Sequence, residues 1–234
     1  MKSLLLPFGL VMIGVLLVAC SEKEIRINPA TQSILTTHQE ITAIHYSPPP
    51  FPAQTPEVRN AASAGTMFGA LGGAIAGAIQ AGEAKQVGSQ LVKDYGLEDP
   101  ILKVKKSFLE AVSRSSTLHN LNSVENALVD DDQASLKKQF QKGLVFDFKT
   151  TSWALNPILF SPNNYRIQYT GRARLLSFPD GNIEWQGVCE SEGNSAPTLL
   201  QLVAHSGAIL KSQLTSTADS CANQLERQFM GSQP

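Results

Sequence analysis

Alternation with a period of two is clearest in the second half of the chain. Leu144, Phe146 and Phe148 alternate with Val145, Asp147 and Lys149, the spacing of a half-buried strand. Tyr165, Ile167, Tyr169, Gly171, Ala173 and Leu175 alternate with Arg166, Gln168, Thr170, Arg172 and Arg174, which predicts a long antiparallel strand with one wet face. Pro179-Asp180-Gly181 is turn chemistry, after which Ile183, Trp185, Gly187 and Cys189 take the core side of a returning strand. From about Thr198 to Met230 the period changes. Leu199, Val203, Gly207, Leu210, Leu214, Ala218, Cys221, Leu225 and Phe229 recur at steps of three and four, predicting a long helix with one apolar stripe.

Ahead of this unit the pattern is mostly helical. Ala84, Val87, Leu91 and Tyr95 share a face, and Gly96 is placed to cap that helix. Asp99-Pro100 has the form of an N-cap followed by proline at the first helical position. Ile101, Val104, Phe108 and Val112 then mark an apolar face, while Lys103, Lys105 and Lys106 are expected largely elsewhere, on a solvated face or toward anionic headgroups. Residues 116–129 suggest a strand only weakly, through Leu118, Asn120, Asn122 and Val124. Asp130-Asp131-Asp132 suits a cation site or the acidic start of a helix from about Asp131 to Lys142, ended by Gly143. Nearer the N-terminus, Glu40 to Tyr46 is a plausible strand.

Two low-complexity stretches follow that strand. Residues 47–56 hold five prolines in ten, an extended, stiff segment that serves as a spacer or as a Pro-rich recognition ligand. Residues 60–82 carry no charge, and Gly65, Gly69, Gly73 and Gly77 recur at an interval of four. This resembles a glycine zipper. On a helix, positions four apart drift by only about 40°, so the glycines form one groove, while Phe68, Leu71, Ile75 and Ile79 lie on another face. Each interior glycine costs about 1 kcal/mol relative to alanine, which calls for a compensating contact such as the close approach of another backbone. The segment is about 35 Å long as a helix, enough to cross a bilayer core. Its Ala/Gly composition gains little from lipid, and Gly72-Gly73 can break it into a hairpin. Packing within the protein or between copies, membrane insertion and a flexible linker are the three readings.

The extreme N-terminus has a pattern of its own. Lys2 precedes an uncharged run from Ser3 to Ser21 centred on Leu4-Leu5-Leu6 and Leu10 to Val18, the form of a secretory leader. Pro7 and Gly9 interrupt it as a spanning helix. Leu17-Val18-Ala19-Cys20 resembles the lipobox of bacterial lipoproteins. That resemblance implies removal of residues 1–19, with Cys20 as the mature N-terminus bearing diacylglycerol on sulfur and a fatty acid, palmitate or its like, on the amino group. Ser21, standing where an Asp would retain such a protein, implies the outer membrane and its periplasmic leaflet. Lipobox and zipper together resemble outer-membrane lipoproteins that carry a glycine-zipper segment. The following domain is loosely similar to lipoprotein subunits of envelope secretion and assembly systems.

Composition narrows the chemistry. Of 234 residues, 42% are hydrophobic and 17% charged, which excludes collagen-like, wholly disordered and polytopic membrane chains. Nineteen Lys and Arg against 20 Asp and Glu give a net charge of -1, no field to attract nucleic acid. Beyond Cys20 only Cys189 and Cys221 remain. In an oxidising compartment they are expected to pair, and both fall on core-facing positions; two inert buried thiols are the alternative. Neither has the Cys-x-x-Cys or His partner of a metal site. His38, His45, His119 and His205 are scattered singly, and no nucleophile elbow, phosphate loop or His-Glu-x-x-His pair occurs. Arg166, Arg172 and Arg174 form the one notable polar set. They suit docking to an acidic partner or headgroup, or cross-strand pairing with Asp147, Glu184 or Glu190.

The expected protein is therefore α+β, an antiparallel sheet packed by helices, with a tether over residues 20–33 and a single periplasmic domain over residues 34–234. No catalytic residue, metal or cofactor is assigned. The expected role is non-enzymatic and structural, assembling through helix packing at Gly65, Gly69, Gly73 and Gly77 with a second copy or an envelope protein. A periplasmic lipid- or small-ligand-binding module is the alternative, and an envelope hydrolase the remaining one. A pocket between sheet and C-terminal helix marks the binder, and convergent ionisable groups in a cleft mark the enzyme.

Overall fold

The computed structural model describes residues 24–27, 35, 41–55, 58, 69–115 and 121–231. The two alternating segments form one long hairpin: β3 (Gly143–Ile158) and β4 (Ser161–Phe178) pair antiparallel from Gly143↔Phe178 to Ile158↔Ser161. The Pro179-Asp180-Gly181 turn returns the chain into β5 (Asn182–Glu192), with Gly181 at φ 67°. On the other side of β3 lies β1 (Ile41–His45), and beyond it the three-residue edge β2 (Leu121–Ser123). The expectation of an antiparallel sheet is corrected here. β1 runs parallel to both neighbours, so the five-stranded sheet is mixed, in the order β2-β1-β3-β4-β5. The class is α+β.

Among the described residues, three long helices cover one face: α1 (Gly69–Tyr95), α2 (Pro100–Ser115) and α4 (Leu199–Gly231). The predicted caps form. Gly96 turns the chain at φ 55°, the Asp99 carboxylate accepts from the Ile101 amide, and Pro100 opens α2. All four apolar-face residues of α2, Ile101, Val104, Phe108 and Val112, are fully buried. Phe108 touches the rings of Phe146, Phe148, Trp185 and Phe229 at centroid distances of 5.4–5.8 Å. This aromatic cluster joins β3, β5, α2 and α4.

The C-terminal helix departs from the single continuous helix its periodicity predicts. His205, Ser206 and Gly207 all have positive φ, which breaks α4 after its first turns. Gly207 suits that place at φ 72°, where a Cβ would be strained and would also crowd the Tyr95 ring at 3.0 Å. The stripe is kept beyond the break, with Leu210, Leu214, Ala218, Cys221, Leu225 and Phe229 buried, whereas Leu199 and Val203 before it are only half-buried. Cys221 meets Cys189 of β5 in a disulfide whose Cα atoms are 5.1 Å apart. Closing 32 residues, it stabilises the fold by about 3 to 4 kcal/mol through chain entropy.

The second sheet face is not wet along its length. α3 (Gln133–Gln139), started by Asp132 accepting from the Ser135 amide, is shorter than the predicted Asp131 to Lys142, and Gly143 begins β3 rather than ending the helix. Leu136 packs there with Ile44, Tyr46, Val145, Leu176 and Phe178 in a second, smaller core. A bulge between Leu175 and Leu176 changes the facing of β5, so Ile183 packs against this smaller core and not the main one.

The Pro-rich segment is built into the sheet edge. After β1 the chain continues alongside β3: Trp153 Nε1 donates to the Pro49 carbonyl, and the amides of Leu155 and Gln54 pair with the Pro52 and Leu155 carbonyls. Prolines suit this place because an edge segment needs few donors. α1 runs antiparallel across it, with the Ala53 amide donating to the Ala84 carbonyl. A Cβ at Gly88 would stand 1.5 Å from the Phe51 carbonyl oxygen, whereas one at Gly82 would meet nothing within 4 Å. Gly88→Ala is therefore expected to destabilise by about 1–3 kcal/mol through overpacking. Gly82→Ala should stabilise by about 0.5–1 kcal/mol. Denaturant unfolding of both variants checks the pair, and equal effects would remove Gly88 from the contact.

Candidate functional site

Strand period places the three arginines of β4 on the second face, and the structure gives each a carboxylate. Arg174 lies opposite Asp147 in the β3–β4 register and holds it with Nε at 3.0 Å from both oxygens and Nη2 at 2.5 Å from Oδ2. Tyr46 Oη donates to the same Oδ2 at 2.8 Å. Asp147 is fully buried. Burial pushes the Tyr46 hydroxyl pKa up, reinforced by the Asp147 charge, so Tyr46 remains a donor. Arg172 and Lys149 both reach Asp131, at 2.9 Å each. Burial pushes the Asp131 carboxyl up, but the hydrogen bonds and charges of Lys149 and Arg172 outweigh it and hold the pKa at about 2. Arg166 pairs with Glu192 at 2.8 Å in the open.

Pairing with carboxylates is thus what these arginines do, across strands for Arg174 and Arg166 and to the segment before α3 for Arg172, with partners only partly as expected. Asp147 is confirmed for Arg174; Asp131 and Glu192 take the places expected for Glu184 and Glu190. Asp131 was legible as one of three consecutive aspartates, yet only Asp132 caps the helix. Lys105 is a further correction: expected off the apolar face of α2, it is buried, with Nζ donating to the Val124 carbonyl at 2.8 Å and lying 3.3 Å from His45 Nδ1. Burial lowers both pKa values, and the Lys105 charge lowers that of His45 further.

A cavity of about 350 Å³ opens between the start of α2 and the middle of α4, lined in part by Asp99, Lys103, Lys211, Leu214, Thr215 and Ala218. It is a helix-lined cleft and not the pocket between sheet and C-terminal helix that marks a lipid binder. Asp99 Oδ1 caps α2 and accepts from Thr150 Oγ1 at 2.5 Å; Thr150 Oγ1 is 3.3 Å from Tyr169 Oη. Asp99 Oδ2 is buried without a hydrogen-bond partner. Burial raises the Asp99 pKa to about 6 despite the hydrogen bonds from Thr150 and the Ile101 amide. Asp99 is legible in the sequence as a cap; its contact with Thr150 is not, because the two are remote in the chain.

Of the residues singled out in the sequence, Cys189 and Cys221 are brought together. Gly69, Gly73 and Gly77 lie on α1, which runs unbroken through Gly72-Gly73, so the hairpin alternative is not adopted. Cys20 and Gly65 lie outside the described residues. Among the described residues, no helix is long and apolar enough to cross a membrane.

No protein family and no curated protein matches the chain. Among solved structures it is similar to the PelC dodecamer from Paraburkholderia phytofirmans, with 6% identity over 86% of this chain and 95% of that one and a TM-score of 0.30. Lipoprotein GNA1162 from Neisseria meningitidis is 14% identical over 78% of this chain and 99% of its own, with a TM-score of 0.24. The protein CT253 from Chlamydia trachomatis is 10% identical over 53% and 83%, at 0.29. Likenesses of this size carry no argument about function.

Two expectations follow from the geometry. Arg174→Ala leaves Asp147 buried without its main counter-charge and should cost about 3–5 kcal/mol, whereas Arg166→Ala at the exposed pair should cost under about 1 kcal/mol. Chemical denaturation distinguishes them, and similar losses would show that the buried network is not the stronger contact. Asp99 has its pKa raised from 3.8 to about 6, so the folded state binds more protons than the unfolded one across that window. Its contribution is complete below the unfolded value and is lost as pH rises through about 6. Relative to Asp99→Asn, the parent should therefore lose stability across this window, and parallel pH profiles would contradict it.

Proposed function

We propose that the chain is an exported envelope lipoprotein, anchored through Cys20 in the outer membrane with its domain in the periplasm, and that it acts by docking and not by catalysis. The observation that carries export is the Cys189–Cys221 bridge, made between two fully buried cysteines of the main core. Such a bond belongs to an oxidising compartment, and it agrees with the leader and the lipobox read from residues 1–20. A non-catalytic role is supported by the charged groups of the second face, which are engaged with one another in a network that holds α3 and the sheet together.

Docking is assigned to α1. Its N-terminal half carries Gly69, Gly73 and Gly77, and the shallow groove they make suits another helix backbone, from a second copy or an envelope protein. A second reading has one observation in its favour: the cleft at Asp99 is large enough for a small ligand, with the carboxyl and two lysines on its wall.

Cys20→Ser should leave the leader uncut or release the protein from membranes, read by mass and by membrane fractionation. Normal processing and normal fractionation of that variant would overturn the anchor. In the anchored protein, Gly69→Leu with Gly73→Leu should change the oligomeric state or the partners recovered by cross-linking. An unchanged pattern would take docking away from α1.

A further inference from the structure

β1 ends on a buried base packed against a buried cation. His45 and Lys105 are 5% and 4% exposed, and Lys105 Nζ lies 3.3 Å from His45 Nδ1. An ammonium group has hydrogens to give and no lone pair, so Nδ1 accepts at this contact and the ring is neutral. Lys105 also donates to the Val124 carbonyl at 2.8 Å. One side chain thus fastens α2 both to the end of β1 and to the chain that follows β2.

That following chain is thinly held. β2 is a three-residue edge strand with Asn122 and Ser123 exposed, and Glu125, Asn126 and Ala127 beyond it are exposed as well. Val124 and Leu128 are half-buried against the smaller core. The Val124 and Leu128 amides donate to the Ala43 and His45 carbonyls, and the Ser47 amide donates to the Leu128 carbonyl. A segment with few buried apolar contacts opens locally at low cost, so the Lys105 contacts are a large share of what closes it.

The charges acting on His45 are Lys105 from α2 and Glu125 from the segment itself, while β3 presents the apolar Phe148 in register. Glu125 is in the open, where it accepts from Ser123 Oγ at 3.2 Å. Burial, and after it the Lys105 charge, lower the His45 pKa from its ordinary 6.5 against the opposing effects of Glu125 and the Val124 carbonyl. Acid therefore has to charge His45 beside an existing buried cation, which burial makes costly.

We infer that His45 and Lys105 form an acid-sensitive latch: protonating His45 turns the acceptor of Lys105 into a second buried cation, and the segment from Leu121 to Leu128 lifts from β1. Lifting frees the Ala43 and His45 carbonyls, leaving β1 with an open edge of the kind to which another strand adds. The sign follows from linkage. In the open form the imidazole is solvated and returns to its ordinary pKa, so closure is at full strength above about 6.5 and weakens as pH falls toward the depressed value. Asp99 acts in the opposite direction, and Asp131 and Glu192 are held low and change at more acid pH. In a domain exported from the cytoplasm, as proposed above, external pH reaches such a latch directly.

The test is hydrogen–deuterium exchange of the full lipid-bearing chain in detergent micelles at about pH 7.5 and about pH 5, corrected for the intrinsic exchange rate at each. Residues 121–128 should lose protection several-fold on acidification, up to a limit of about thirtyfold set by an ordinary imidazole in the open form. The buried part of α4, from Leu210 to Phe229, should keep its protection. His45→Asn offers Lys105 an acceptor near the place of Nδ1 that acid does not charge, and its segment should stay protected at both values. Equal protection of the parent at the two pH values overturns the latch, as does a loss shared by α4, which is global unfolding, or an equal loss in His45→Asn, which puts the acid-sensitive group elsewhere. Should His45→Asn not fold, the His45 ring titration followed by NMR in the parent decides. A midpoint below 6.5 that coincides with the loss of protection supports the latch, and a midpoint at or above that value, or one separate from the opening, overturns it.

Discussion

Phe108 is where the helical layer and the sheet become one body. Its ring contacts two residues of β3, one of β5 and one of α4, so four elements lose apolar surface to water through a single side chain. Aromatic groups in edge and offset contact add to the area they bury, and the buried Trp185 and Phe229 close the cluster from the far side. The remaining architecture is arranged around this junction: the disulfide ties β5 to α4 on one flank, and the Gly88 contact seats α1 on the sheet edge at the other.

The polar face has a different logic. Asp147 sits in the middle of β3 with no exposure, a position that a sheet with one wet face would leave in water. Covering it requires Arg174, Tyr46 and the segment that brings Asp131 into place. Partial satisfaction of such a network is worse than an apolar face, and this dependence explains why a helix as short as α3 persists at all.

Much of this was legible in the residues. Period alone reveals β3, β4, β5 and the buried face of α2, because each depends on neighbours within a strand or helix, while the Cys189–Cys221 pairing needs the cysteine count and an oxidising compartment besides the two core-facing positions. What escaped depends on distant partners. Nothing near Ile41 reveals that it pairs parallel to Leu144, since a strand carries no local mark of its neighbour's direction. Lys105 reads as solvated or headgroup-facing because lysine alone is costly to bury; the Val124 carbonyl that offsets the cost lies on a segment with no clear period. The break in α4 was hidden because Gly207 fits an apolar stripe as well as it fits a left-handed turn. For the candidate site, Asp99 is visible as a cap, but its raised pKa comes from burial by elements distant in the chain, which outweighs the hydrogen bond from Thr150.

The edge position of the Pro-rich segment also sets an order of events in time. Tyr46 meets Asp147, and Pro49 meets Trp153, across 101 and 104 residues of chain. In a polypeptide that leaves the ribosome or a translocon N-terminus first, residues 41–55 emerge long before β3 exists to receive them. Contacts so distant in sequence form slowly. Until they do, the nascent chain carries an apolar strand and a row of prolines with no docking place, and β3, once made, has an open edge able to pair with other chains. A stiff, donor-poor proline run is a poor template for such pairing, so the segment that completes the sheet last is also one that resists aggregation while it waits.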